Sequence, residues 1–595
     1  MAMMVVFVAV VLGLQLYRAK TTPPAPSSST PPIAASQAPA QPAPATGPAA
    51  LAAPQQAHAK SATPALPTVQ AAAEQNTVVE NDLYRITFSN RGAQVTSWVL
   101  KDYKDLDGKP LDLIHQQAAK LYGYPLSLYT SDASIASSLN QALYVSSAAG
   151  AVPSATGSLI APASLTFKYS NGDLQATKTF TFDQKTYLLH ADVAVSRAGA
   201  PVQAQLSWPS GFGDQNETPN MTAYNYAQFD DYRNGTFDHT DAKKVTGGEV
   251  QNGPFDFAGV ADPFFAAVFM PDAPASATVT TLRNDLDVAK TIKRVGFGSD
   301  SPPTKPVVVP ILGAAMGNSS GPTGMRIFVG PKAINILKSV HATDPRVTLE
   351  PVLEFGFWGP IAKYLFLSLQ AIHAHITANW PGSWGWAIII LTVFINLLIL
   401  PFRVKTMHSA LKMQRIQPQM DAIKEKYKKY KITDPKRSEM QAEMSELQKK
   451  EGVNMFGGCI PTLITMPLLF AFFTMVPRVV DLRLAHWFWL PNLQAPDPHH
   501  ILPILMVISQ FLVQFYTPSP GVDPQQQKMM AFMMPAFSGY ITWNYPSGLA
   551  LYWSVGNLIG IAQQAVMNRT SLGREMREMA AKRARRKANT IQGRK

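Results

Sequence analysis

Apolar and polar residues fall into two textures along the chain. Between about Asn76 and Val352 they alternate over short runs, as in Tyr84-Arg85-Ile86-Thr87-Phe88 and Leu165-Thr166-Phe167-Lys168-Tyr169. Lys178-Thr179-Phe180-Thr181-Phe182 and Tyr187-Leu188-Leu189-His190-Ala191-Asp192-Val193 repeat the pattern, and Gly, Asn, Asp and Pro punctuate it. A period of two bounded by turn formers predicts strands, and a long series of them predicts a large antiparallel β-sandwich over 76–350.

Beyond Val352 the texture changes. No Asp, Glu, Lys or Arg occurs from Tyr364 to Phe402, from Gly452 to Pro477, from Pro498 to Val522 or from Met529 to Asn568. A helix crossing a bilayer needs roughly 20 apolar residues. The last run is broken by the turn signal Tyr545-Pro546-Ser547-Gly548. The runs therefore predict five spans, near 384–402, 456–476, 501–517, 529–544 and 549–567, forming a helical core over 384–567. Ahead of them, Trp358, Ile361, Leu365, Leu369, Ile372 and Ile376 recur every three or four positions. That spacing predicts an amphipathic helix within 353–380, lying in the outer membrane interface; a core helix of the β domain is the other reading. Between the first two spans, Met413, Ile416, Met420, Ile423, Tyr427 and Tyr430 keep the same period, and Met440, Met444 and Leu447 resume it after Thr433-Asp434-Pro435. Two helices facing each other as an antiparallel hairpin over 403–455 explain this, with Pro418 bending the first.

The N-terminal residues are of another kind. An apolar stretch over 1–17 reads as a retained anchor (1–20), since no basic region precedes it and no clear cleavage site follows. Residues 21–73 hold 12 prolines and no aromatic, so 21–75 is expected to be an extended tether without a core.

Charge supplies orientation. The net charge is +13, yet 403–451 alone is +6 and 569–595 is +8, leaving the rest near neutral. Lys and Arg flanking spans are retained in the cytoplasm. The hairpin and the 568–595 tail are therefore expected inside, and alternation of the spans then puts residues 18–352 outside. Contact with anionic lipid or with ribosomal RNA explains the basic segments equally well. Arg403, Lys405, Lys412, Arg415, Lys424, Lys428 and Lys429 of the hairpin, with Arg583, Arg585, Arg586 and Lys587 of the tail, are the candidate cytoplasmic docking residues.

Catalytic signatures are missing. The sequence has no Walker A loop, HExxH or GxSxG, and its single cysteine, Cys459, excludes a disulfide framework or cysteine-cluster zinc site. His499-His500 sits at a span boundary and is a weak metal motif. The spans carry amides and hydroxyls but no carboxylate, lysine or arginine, which argues against an ion-coupled transporter. Such amides either bond helices together or line a wet cavity.

The series NMFGGCIPTLITMPLLFAFFTM (454–475), DPHHILPILM (497–506), DPQQQKMM (523–530) and YPSGLALYWSVGN (545–557), with the basic hairpin, resembles the YidC membrane-protein insertase family, and FSNRGAQVTSWVLKDY (88–103) is similar to the opening motif of that family's periplasmic domain. The resemblance spans about 76–567. It implies an inner-membrane protein with an N-terminal anchor, a periplasmic β-supersandwich and a five-helix bundle. It also implies a protein that works as a monomer, without a cofactor and without enzymatic activity. Such a protein takes nascent membrane proteins from ribosomes into lipid, alone or with the Sec translocon. The path is a hydrophilic groove, to which the resemblance assigns Asn396, Thr465, Gln510, Gln514, Trp553 and Asn557. Relatives usually carry an arginine where Asn396 stands, and many carry glutamine where Thr465 stands. A polytopic transporter or channel with a periplasmic carbohydrate-binding domain is the alternative.

Overall fold

The computed structural model describes residues 67–150, 152–153, 157–211, 213–214, 227–288, 307–430, 434–452, 460–516 and 524–592. The expected anchor, most of the tether and Cys459 lie outside these residues.

The alternating runs form strands. Leu165–Tyr169 falls within the strand Ala163–Ser170, Lys178–Phe182 within Leu174–Phe182, and the Leu188–Val193 part of the last run within Leu188–Arg197. Among the described residues three sheets of six, ten and five strands make up the domain. Pairing is antiparallel apart from Asn76–Glu80 with Leu159–Ile160. Period-two patterning turns one face of each strand inward: Leu174, Ala176, Lys178, Phe180 and Phe182 are all buried. Phe88, Phe167, Phe180 and Phe182 pack ring to ring, and Tyr84, Trp98 and Trp208 form a second chain of ring contacts. Residues ahead of the expected tether boundary at 75 are already tied to the β domain. The Val69 amide bonds the Ser170 carbonyl at 2.8 Å, and Glu74 pairs with Arg91 at 2.9 Å.

The C-terminal half is helical. Helix α1 (Gly359–Ile372) is followed by α2 (Ser383–Lys426), α3 (Lys436–Lys450), α4 (Ile460–Met475), α5 (Ile501–Tyr516), α6 (Pro524–Trp543), α7 (Ser547–Arg569) and α8 (Ser571–Gln592). Helix α1 turns Ala362, Leu365, Phe366 and Leu369 inward, and its neighbours include α4 and α2. The expected first span (384–402) and the first arm of the hairpin from 403 are one helix. Helix α2 is one rod of 44 residues that passes through Pro401 and Pro418, roughly 65 Å of continuous helix. Of the described helices, α2 alone is both long and apolar enough to cross a bilayer.

The charged end of α2 makes the expected hairpin with α3. Ile416 and Met420 are buried against Met413, Met444 and Leu447. Tyr427 Oη donates to Glu443 at 2.9 Å, and Lys426 pairs with the same carboxylate at 2.6 Å. The basic tail forms the helix α8. It lays Met576 and Met579 against Met407 and Leu411 of α2, and Glu575 pairs with Arg415.

Candidate functional site: a polar seam inside an apolar bundle

Helices α2, α5, α6 and α7 present large apolar side chains outward. Phe394, Leu398, Phe532, Phe537 and Tyr540 are each more than 60% exposed. Their buried positions include Thr392, Asn396, Ser509, Gln510, Ser538, Thr542 and Ser554.

The densest part of the seam lies between α2 and α7. Asn396 is buried, and its Nδ2 donates to the Thr392 carbonyl at 2.8 Å. Its Oδ1 accepts from Arg403 Nη2 at 3.0 Å. Arg403 Nη1 donates to Gln563 Oε1 at 2.5 Å, and Gln563 Nε2 donates to the Asn396 carbonyl at 3.3 Å. A guanidinium and two amides thus close a ring across two helices. It lies beside Gly556 and Gly560 of α7, one turn apart, where a Cβ would make no more than ordinary contact. A Cβ on Gly560 would stand 3.4 Å from Arg403 Nη1, and one on Gly556 3.9 Å from Asn396 Nδ2. Trp553, half-buried, begins the same stripe: 553, 556, 560 and 563 follow helical spacing.

Arg403 was expected on the cytoplasmic docking surface. It is instead half-buried and turned into the bundle, because α2 runs on through Pro401. Seven residues are close to two full turns, so positions 396 and 403 share a face. That i,i+7 relation was the signal in the sequence, hidden by assigning 396 to the first span and 403 to the hairpin. Gln563 was likewise missed as a site residue.

The other expected groove residues do not join this ring. Asn557 Nδ2 donates to Ser509 Oγ at 3.1 Å, joining α7 to α5. Gln510 Oε1 accepts from Ser538 Oγ at 2.6 Å, joining α5 to α6. Thr465 on α4 and Gln514 on α5 are half-buried. Of the expected docking residues, Lys405, Lys412, Lys428, Lys429 and Arg585 are exposed, Lys424 is half-buried, and Arg415 is committed to Glu575. The side chains of Arg583, Arg586 and Lys587 lie outside the described residues. His500 of the weak metal motif packs against Trp543 at a tilt, with ring centres 4.0 Å apart.

Apolar side chains outward and amides inward define an integral membrane helical protein, here carrying a β domain. The YidC periplasmic domain family matches residues 76–368, and the 60Kd inner membrane protein family matches 376–574. The membrane protein insertase YidC of Ralstonia nicotianae is 32% identical over 86% of this chain and 86% of its own. That of Cupriavidus necator is 30% identical over 88% of each chain. The crystal structure of an active YidC insertase with its first transmembrane domain resolved is 15% identical, covering 85% of this chain and 96% of its own with a TM-score of 0.33. The chain belongs to the YidC family.

Proposed function

We infer that this protein is a membrane-protein insertase, which moves hydrophobic segments of newly made proteins from the cytoplasm into the bilayer. Its relatives in Ralstonia nicotianae and Cupriavidus necator are membrane protein insertases. The observation that carries the reading within this chain is the ring of Arg403, Asn396 and Gln563 between α2 and α7.

The physical problem is to take polar backbone through hydrocarbon, where each unsatisfied group costs several kcal/mol. A hydrated groove on the cytoplasmic part of the bundle shortens that passage. Arg403 has five N–H donors, of which the two amides take two, and among the described residues no carboxylate neutralises it. The remaining donors hold water and incoming carbonyl or carboxylate groups. The arriving apolar segment then leaves sideways over the outward faces of the helices, and its own burial, roughly 25 cal/mol per Å², drives the step without a nucleotide. Lone amide-bound arginine suits this better than the carboxylate relay that a transporter needs.

Orientation follows from the basic flanks, with the α2–α3 hairpin and α8 in the cytoplasm and the β domain in the periplasm. Indole rings support the outer boundary. Trp380, Trp386, Trp487 and Trp489 form a chain of ring contacts there, and Trp384 stacks on His373, as expected at a headgroup layer. The exposed lysines of α2 and the basic positions of α8 are the surface offered to the ribosome and to anionic lipid, with the Sec translocon as an associated partner.

The test is reconstitution into liposomes with a single-span substrate. Arg403→Leu is expected to lower insertion about tenfold, equivalent to about 1.4 kcal/mol. Arg403→Lys should retain most activity, because the charge still reaches the groove. Asn396→Leu should fall between them. Wild-type insertion by Arg403→Leu would remove the ring from the mechanism.

A further inference from the structure

The segment 476–500, between α4 and α5, is bound on two sides. Toward the bundle it is tied at three points. Buried Gln494 Nε2 donates to the Val476 carbonyl at 2.9 Å and the Val479 carbonyl at 2.5 Å, which folds the segment on itself. The carbonyls of Leu493 and Ala495 accept from the amides of Gly548 and Ser547 at 2.8 and 2.7 Å, which fastens it to the start of α7. The Trp487 indole lies against the start of α2, so close that a Cβ on Gly385 would come within 2.2 Å of the ring. Asp497 completes the attachment by accepting the Leu502 amide of α5 at 2.7 Å. Leu482, Leu490 and Leu493 are fully buried beneath. The segment is therefore a cap across one end of α2, α5 and α7, the end opposite the basic hairpin.

On its other side Arg483 reaches the β domain. Arg483 Nη2 meets Asp214 Oδ2 at 2.5 Å, with 4% and 1% of the two side chains exposed. Arg483 Nη1 donates to the Lys104 carbonyl at 2.5 Å. The guanidinium faces the rings of Phe264 and Phe265 at 5.9 and 5.7 Å. Asp214 Oδ2 also accepts the Leu106 amide at 2.9 Å, so three parts of the β domain converge on one cation. Surface ion pairs hold little; a buried pair that loses one member leaves an uncompensated charge and opens.

We propose that the Arg483–Asp214 pair is a latch through which the β domain holds the 476–500 cap shut over the outer end of the bundle. The domain then has a part in the barrier function of the membrane region, separate from substrate handling. Arg483 and Asp214 act as positioning residues, working through the cap and touching no substrate. The bundle's place in a bilayer is taken from the insertase reading, but the exchange measurement below does not depend on insertion activity.

The test uses the intact protein in liposomes, with Asp214→Asn and Arg483→Lys compared with the unaltered chain. Amide hydrogen exchange over 482–494 should quicken about tenfold in Asp214→Asn, while the helical amides of 388–399 keep their rate. Release of a small entrapped anionic dye should rise several-fold in the same variant. Arg483→Lys keeps the charge but loses the two-pronged donation, and should lie between. Unchanged exchange in the cap in both variants would overturn the latch. So would uniform quickening of cap and helices alike, since that is the signature of a general loss of stability.

Discussion

The β domain and the helical bundle sort their residues in opposite ways. In the domain Trp98, Trp208, Tyr84, Phe88 and Phe180 are almost wholly buried, and the strands turn polar residues outward. In the bundle Phe394, Leu398 and Phe537 point outward while Asn396, Gln510 and Ser538 are buried. Water expels apolar surface, so the domain draws its stability from the hydrophobic effect. Hydrocarbon gives no such drive, and helices within it associate by close packing and hydrogen bonds. Polar interior groups therefore mean different things in the two regions. In the domain an interior charge is a costly exception that must be fully satisfied; in the bundle an interior amide is the ordinary means of contact, or a way to hold water.

Lys178 gives the largest expected effect. Its Nζ is buried in the β domain and donates to the carbonyls of Gly92, Leu126 and Ala93 at 2.7, 2.8 and 3.2 Å. Ala93 and Leu126 both have positive φ, 47° and 61°, a region that residues with a Cβ seldom adopt. The ammonium thus ties down two loops whose backbone would not hold that shape alone. Lys178→Met keeps the volume and leaves the buried carbonyls without their donor, at about 1–3 kcal/mol each. The domain's melting temperature should drop by more than about 10 °C. A melt within about 3 °C of the unaltered protein would mean that other donors replace the ammonium.

Asp262 sharpens the same contrast through pH. Burial pushes its carboxyl up to about 6, against the opposing pull of the Phe265 and Phe264 amides, Lys332 and Arg483. A carboxyl raised in the folded state costs stability once ionised. Between about pH 4 and 6 the folded chain keeps a proton that the unfolded chain has released, so stability falls as pH rises through that window. The whole cost is present above it. Asp262→Asn can keep both amide bonds to Oδ1 but does not titrate. The stability of the unaltered protein relative to this variant should fall by about 2 kcal/mol from pH 4 to 7, as read from urea unfolding of the β domain. Parallel pH profiles would show that the carboxyl is not held up by burial.

The sequence was legible where a short-range period decides the structure. Strand positions around Phe167 and Phe180 follow from alternation, and the seam of Met413, Ile416 and Met420 against Met444 and Leu447 follows from heptad-like spacing. Arg403 was assigned to the docking surface because a cation beside a span is ordinarily a marker of topology. In lipid a proline need not end a helix, since neighbouring helices satisfy the freed carbonyl. Asn396 and Arg403 then meet two turns apart. The Arg483–Asp214 pair was beyond reading, since a bond between residues 269 positions apart leaves no trace in local pattern.

The smallest expected effect tests whether the seam is glue or groove. Ser538 Oγ donates to Gln510 Oε1 across α5 and α6, but the same hydroxyl lies 2.8 Å from the Met534 carbonyl one turn back on its own helix. If Gln510 is replaced by Leu, the hydroxyl turns to that carbonyl and loses little. If Ser538 is replaced by Ala, the amide of Gln510 loses one partner while its own N–H groups keep whatever contacts they have. Interhelical hydrogen bonds of this kind are worth about 0.6 kcal/mol in membranes. A double-mutant cycle on Gln510→Leu and Ser538→Ala should return a coupling below about 1 kcal/mol in thermal unfolding, with insertion hardly changed. A coupling above about 2 kcal/mol would make this pair a structural bolt, and the α5–α6 seam would then belong with the β domain's interior charges. A small coupling together with a large insertion loss at Arg403 would separate the two functions of polar residues within one bundle. The α5–α6 amide would then be replaceable contact, and the α2–α7 ring the part of the seam whose chemistry the protein uses.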